Sequence, residues 1–353
     1  MAMDILGHSP AHAADAGLRS LRYAAANHKS SASKRCRLIY ASLGFSAVSA
    51  ALDQGNRLDW LQSGLINGLL LAGAILLAAF VVRELTHDHP WLNLRFAIRG
   101  NLPLLTFYIS LFRFIILSTS YIIPQYLGAI QNYRALETSG VLLWIALPQF
   151  VVAPVMATIL RFVDARVPMA FGFAMVGWAC FMAGQLTHDW ATRDFLLSQL
   201  LQAVGQTFAL TSVVWFALKH LELKEVLTFG AVIQIARLFG GELGSGFIQT
   251  FLPVCEQMYS NLVGLHVIVG SHTTEERLQY YANTVGDRSN GQSEARAAAL
   301  LAHAAQNQAN VLSYIDGFML LGFSVLGALL LMLLLKDPPA QPLVLGSPSA
   351  ALG

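Results

Sequence analysis

The sequence predicts an all-α polytopic membrane protein with about eight transmembrane helices, and three observations carry that prediction. Hydrophobic residues make up 55% of the 353 and charged residues only 12%, a balance foreign to an ordinary water-soluble domain. Eight apolar runs are long enough, or nearly so, to cross a hydrocarbon core of ~30 Å. Lys and Arg collect in alternate connections between those runs, as the topology of a multi-pass protein requires. The net charge of +2 says little about partners, because the basic residues are spread by topology and form no patch suited to nucleic acid. Cys36, Cys180 and Cys255 fall at three different depths, so free thiols are expected and no disulfide framework follows.

Residues 1–37 are polar and hold no apolar core of the kind a secretory signal needs, so they read as a disordered, basic cytoplasmic tail. The first apolar run, 38–52, covers only ~22 Å as a helix and spans the bilayer if Arg35 and Arg37 snorkel to the headgroups. After a polar turn at 53–60, an uncharged run at 63–82 gives a second span, and 83–101 forms an inside connection. Further spans are expected at 103–127, 139–160, 167–186, 195–218, 226–252 and 311–335. Residues 253–310 are too polar to cross and read as a long outer insert, its 293–310 part a helix running into the last span; 337–353 form a second cytoplasmic tail.

Fourteen Lys and Arg lie on the side of the N-terminus. Six lie on the other side: Arg57, Arg134 and Arg193 in short loops and three in the insert. The asymmetry places both termini in the cytoplasm, in agreement with an even number of spans.

Two arginines remain at membrane depth, and the candidate site follows from them. The 226–252 run carries Arg237 and Glu242 in its middle. At ~100° per residue, Gly230, Gln234, Arg237, Gly241 and Gly244 share a face, and Glu242 lies ~140° from Arg237 with Ser245, Gly246 and Gln249. A charge at the bilayer centre costs at least ~2.5 kcal/mol, so both must face protein or water. Two readings stay open: the lining of a solute cavity, or a packing surface where glycines admit a neighbouring helix and an ion pair acts as glue.

The 103–127 run adds Thr106, Ser110, Arg113, Leu117, Ser120 and Pro124 along one line. Arg113 needs an acceptor, and Glu242 is expected to meet it or share water with it across a central cavity. Gln199, Gln202 and Gln206 form a column of amides, suited equally to pairing with a neighbouring helix and to touching a substrate. Pro148 and Pro154 favour bends in the fourth span, beside Gln149.

Other patterns carry no chemistry. His87, Asp88 and His89 read as a solvated turn before Pro90, and His266, His272 and His303 are too scattered for ligand spacing, so no metal is expected. GGELGSG lacks the lysine and the strand-to-helix setting of a phosphate loop. Without H-E-x-x-H, G-x-S-x-G or a poised carboxylate pair, neither an enzyme nor a cofactor is expected.

From about residue 39 onward the succession LDQGNRLDW, RELTHDHP, LRFAIRGN, a span ending in IIPQYL, the loop RFVDAR and QIARLFGGELGSG resembles the second part of fourteen-span drug:proton antiporters. These form the EmrB/QacA-type (DHA2) branch of the major facilitator superfamily. The resemblance covers roughly nine tenths of the chain. It implies that the first two spans (38–101 with their inside loop) are the extra pair this branch inserts between its halves. The last six, 102–336, are then its C-terminal domain. It also implies that the first, second, fourth and fifth helices of that domain line the cavity. Arg113, Gln149, Gln199, Gln202, Gln206, Gln234, Arg237 and Glu242 would then share one space. Arg237 matches an arginine the branch often carries in this helix.

Arg161, Asp164 and Arg166 resemble the superfamily's inside-loop motif, where acid and base latch neighbouring helices, although Leu160 stands where the motif has glycine. The implied activity is proton-coupled efflux of amphipathic drugs or other organic compounds across a bacterial inner membrane. Small-molecule substrate, protons and the lipid bilayer are the implied partners. The Gram-negative members add a periplasmic adaptor and an outer-membrane channel. The family's first six helices, with their proton-coupling carboxylate and glycine-proline motif, have no counterpart in the chain. It is therefore expected to be a C-terminal part: a truncated product, a mispredicted start or a half-transporter that pairs with another chain. The alternative is a non-transporting remnant or an assembly or regulatory subunit.

Overall fold

In a bilayer the backbone must satisfy its own hydrogen bonds, and every regular element among the described residues is accordingly a helix. The computed structural model describes residues 38–86, 100–219, 226–266, 272–285 and 293–335. The two expected tails, Cys36, and the turn with His87, Asp88 and His89 lie outside the described residues. The chain divides into two units, Met1–Arg95 and Phe96–Gly353.

The first unit is a helical hairpin of α1 (38–54) and α2 (Gly64–Thr86). Its turn holds Asp59 and Trp60 at φ 56° and 45°, and the Trp60 N–H donates to the Gly55 carbonyl at 2.8 Å. Gly73 admits α1: a Cβ there would stand 2.7 Å from Val48 Cγ2. Arg83 lies over the Tyr40 ring at 5.9 Å, joining the ends remote from the turn. Leu43, Leu65, Leu71, Ile75 and Val82 are exposed, the surface a bilayer would cover.

The second unit contains α3 (Leu102–Ala129), α4 (Ala135–Ile159), α5 (Arg166–Ala183), α6 (Leu196–Leu218), α7 (Val226–His266), α8 (His272–Val285) and α9 (Ser293–Leu331). α3 is its axis, packing on α4, α6, α7 and α9. Its tyrosines tie it at two levels: the Tyr108 hydroxyl donates to the Ala328 carbonyl of α9 at 3.0 Å, and Tyr126 donates to the Thr187 carbonyl between α5 and α6 at 2.5 Å. Around them the core is aromatic, with Tyr108 and Phe112 on Phe173, and Tyr126 on Phe195 and Tyr314. α5 and α6 cross where Gly172 and Gly205 meet backbone to backbone. α4 buries only Thr138, Val141, Ile145 and Met156, one ridge set on α6, and remains a continuous helix through Pro148 and Pro154.

Among the described residues six helices are long and apolar enough to cross a membrane: α2, α3, α4, α5, α6 and the helix from Ala295 to Leu334. The other two expected spans are also helical. α1 is described from residue 38 only, and in α7 Arg237, Glu242 and the glutamines dilute the apolar content.

The 253–310 insert differs most from expectation. Pro253 does not end α7, which continues as helix to His266, and α8 adds a further helix. Proline removes one backbone bond, a loss that neighbouring packing absorbs here, since Leu252 and Cys255 on either side are buried. The expected run of helix from 293 into the last span is present as α9.

Gly240 and Gly244 set the α3–α7 crossing. A Cβ on Gly240 would meet the Ser110 carbonyl, and one on Gly244 the Phe114 backbone. Gly244→Val should therefore cost about 1–3 kcal/mol by overpacking and lower the unfolding midpoint in detergent, read by a dye that reports exposure of the buried Cys180 thiol. Gly230→Ala, with nothing within 4 Å of the added carbon, should not lower it. Equal midpoints for Gly244→Val and wild type would contradict this crossing.

Candidate functional site

Thr106, Ser110, Arg113, Leu117, Ser120 and Pro124 are all half-buried, while thirteen other residues of α3 are buried. The polar line legible in the sequence is thus a half-buried stripe of the axial helix. α7 runs parallel along it: Gly240 lies beside Ser110, Gly244 beside Phe114, and the Ser118 hydroxyl donates to the Gly244 carbonyl at 3.0 Å.

This crossing brings together Arg113, near the middle of α3, and Arg237, three turns into α7, each half-buried. The positive charge of Arg237 acts on Arg113. Both Nε atoms are buried without a hydrogen-bond partner, and Arg237 Nη1 donates to Gln234 Oε1 at 3.2 Å. Gln234 itself is exposed.

Glu242 does not meet Arg113. No ion pair joins it to either arginine among the described residues. The reason is helical phase: Glu242 lies ~180° around α7 from the midpoint of Gly240 and Gly244, so the face that packs on α3 turns the carboxylate away from it. Arg237, only ~40° from that midpoint, stays on the α3 side.

The amide column turns into the bundle. Gln199 and Gln202 are 1% and 3% exposed, and Gln202 Nε2 donates to the Thr119 hydroxyl of α3 at 2.6 Å. Gln206 is half-buried, and the Oε1 atoms of Gln199 and Gln206 are buried without partners. Gln202 thus joins helices, one of the two roles its spacing allowed. Gln149 Nε2 donates to the Ile145 carbonyl of its own helix at 3.0 Å.

In the inner loop, Asp164 Oδ1 accepts the Arg166 backbone N–H at 3.3 Å. Arg166 Nη2 donates to the Leu335 carbonyl at 3.0 Å, and its guanidinium lies over the Phe216 ring at 5.4 Å. That side chain ties the start of α5 to the ends of α6 and α9. Arg161 is exposed and pairs with no described residue.

A polar cluster unmarked in the sequence reading sits where α3, α7 and α9 meet farther along. The Tyr259 hydroxyl donates to Asp316 Oδ2 at 2.6 Å, and the Ser260 hydroxyl to Glu256 Oε1 at 2.8 Å. Tyr121 and Glu256 both act electrostatically on the buried Tyr314. Asp316 had a signal, a lone carboxylate inside the last apolar run. The α7 partners had none once Pro253 was taken as the end of that helix. Beyond, Arg277, Tyr281, His188 and His303 share an open cavity of about 680 Å³. Among the described residues no group of three His, Cys, Asp or Glu could hold a metal ion.

The fold is that of a polytopic helical membrane protein, with Arg113 and Arg237 on neighbouring helices, and sequence comparison finds transporters similar to it. The chain is 22% identical over 228 residues to the Colistin resistance protein EmrB of Acinetobacter baumannii, covering 64% of this chain and 44% of that protein. It is 22% identical over 229 residues to the Uncharacterized MFS-type transporter YhcA of Bacillus subtilis (65% and 41%). It is likewise 22% identical over 245 residues to the Multidrug export protein EmrB of Escherichia coli K12 (63% and 48%). The chain spans less than half the length of these relatives. No family profile matches it. The resemblance to EmrB-type transporters carried by the motifs is thus found by alignment as well.

If Gln202 and Thr119 join α6 to α3, a double-mutant cycle of Gln202→Leu and Thr119→Val should give a coupling of about 0.6–1.7 kcal/mol in thermal unfolding. Additive effects would place the amide outside the helix contact.

Proposed function

We propose that the chain is the substrate-facing C-terminal part of a proton-driven efflux transporter of the major facilitator superfamily, of the EmrB/QacA type. One observation carries the reading: Arg113 and Arg237 stand half-buried, each three turns or more from the start of its helix, on two parallel helices whose crossing is lined by glycine. A packing role would call for an acid at that crossing, and Glu242 is turned away from it. A guanidinium at that depth needs water or a polar solute, and the half-buried polar stripe along α3 offers a face that such a solute can reach. Two halves rocking about such a face give alternating access.

In this scheme 38–101 is the inserted helix pair and 102–336 the C-terminal domain. Both termini lie on the cytoplasmic side of a bacterial inner membrane, the orientation favoured by fourteen Lys and Arg against six. The substrate is an amphipathic organic compound exchanged for protons. A periplasmic adaptor and an outer-membrane channel complete the route in a Gram-negative cell. Arg166, with Asp164 and Arg161, forms the inner gate, where its bonds to Leu335 and Phe216 hold α5, α6 and α9 in one arrangement.

Proteoliposomes holding this chain, where a second copy can supply the other half, should accumulate a fluorescent amphipathic drug when given a pH gradient. Arg237→Ala should lower that rate at least tenfold, equivalent to about 1.4 kcal/mol or more, with an unchanged amount of protein in the membrane. Gradient-driven movement that is absent, or unaffected by the substitution, would favour a non-transporting membrane subunit. Loss of the protein itself would point to a packing role for the arginine.

A further inference from the structure

We infer that the solute handled by this site is an organic anion, whose carboxylate, sulfonate or phosphate group is received jointly by Arg113 and Arg237. The inference rests on the transport reading above and names its substrate class.

Arginine stays protonated at every pH a cell meets, so the crossing of α3 and α7 carries two permanent positive charges. They act on each other as like charges. Each leaves a buried Nε donor unused. The acceptor found for them is Gln234 Oε1, an uncharged amide that takes one bond from Arg237 at 3.2 Å. Neither arginine is paired with a carboxylate among the described residues. The carboxylate of α7 itself, Glu242, lies on the opposite side of the helix from the crossing.

A site selecting cations would be built the other way, with an acid facing the polar stripe and no like-charge pair. Two planar guanidinium forks with unused N–H donors match the paired oxygens of a carboxylate, sulfonate or phosphate. The anion must also come from a solute and not from a lipid headgroup. Arg113 is about 16 Å along α3 from Leu102 and about 24 Å from Ala129, beyond reach of headgroups at either end. The apolar neighbours of the pair suit the remaining body of an amphiphile: Leu117 beside Gly241, and Phe114 against Phe247.

The test compares three probes on one skeleton: 7-diethylaminocoumarin-3-carboxylate, its carboxamide, and an amide carrying a trimethylammonioethyl group. Binding is read by coumarin fluorescence with the full chain in phosphatidylcholine nanodiscs. The carboxylate should bind at least tenfold more tightly than the carboxamide, and the trimethylammonium probe more weakly than either. Arg113→Gln and Arg237→Gln should each remove most of the carboxylate's advantage while leaving carboxamide binding in place, which also reports that the variants are folded. Arg237→Lys should retain part of it. Equal binding of carboxylate and carboxamide, or preference for the trimethylammonium probe, would overturn the anion assignment and leave the transport reading standing. An advantage that survives both Gln variants would overturn it as well. Binding of none of the three would overturn the transport reading, and this assignment with it.

Discussion

A guanidinium in the middle of a bilayer finds no partner among lipid tails, and this constraint orders the second unit of the chain. Arg113 and Arg237 cannot face hydrocarbon, and α3 and α7 bring those positions to one crossing, which the proposed function takes to border a polar space. Glycine makes this possible without filling the gap. At Gly240 and Gly244 the two backbones approach so closely that a Cβ would strike α3, and the arginines are carried together on the same side. The same phase that admits Arg237 expels Glu242, since residues two apart on a helix lie far around it. One crossing therefore determines both which charges share the site and which does not.

The rest of the unit holds α3 in place while its polar stripe stays half-buried beside α7. Tyr108 and Tyr126 pin its two ends to α9 and to the α5–α6 connection, and the aromatic side chains about Phe173 and Phe195 fill the interior. α6 adds Gln202, bonded to Thr119 on the buried side of α3. α4 makes the slightest commitment, one buried ridge and an outer surface that includes Phe150 at 79% exposure. At the inner end Arg166 gathers three helices through a carbonyl and an aromatic ring. The arginines thus lie within the α3–α7 contact, on a side of α3 that is half-buried under α7 and not fully exposed.

Much of this was legible in the residues because bilayer energetics are severe. Apolar run lengths marked the eight long helices among the described residues, and the spacing of Thr106, Ser110, Arg113, Leu117 and Ser120 marked a stripe that is half-buried in the structure. What failed to show were features decided by contact between helices. The sequence names Glu242 as the available acid but does not say which face of α7 meets α3; that depends on where glycines let the backbones touch. The glutamines permitted two roles, and only the position of Thr119 selects one for Gln202. Pro253 looks like a stop, yet α7 continues because the cost of one missing backbone bond is outweighed by packing beyond it, where Tyr259 reaches Asp316.

The central claim is that the arginine-bearing sides of α3 and α7 look onto water. With Cys36 replaced by serine and Cys180 and Cys255 buried, Gln234→Cys on α7, Ser120→Cys on α3 and Leu143→Cys on the exposed side of α4 can be labelled in membranes with a charged, membrane-impermeant methanethiosulfonate reagent. Rapid labelling at 234 and 120, with none at 143, is the predicted result. Labelling at 143 while 234 and 120 stay inert would contradict the account, for it would give the water to α4 and leave the two guanidinium groups facing oil.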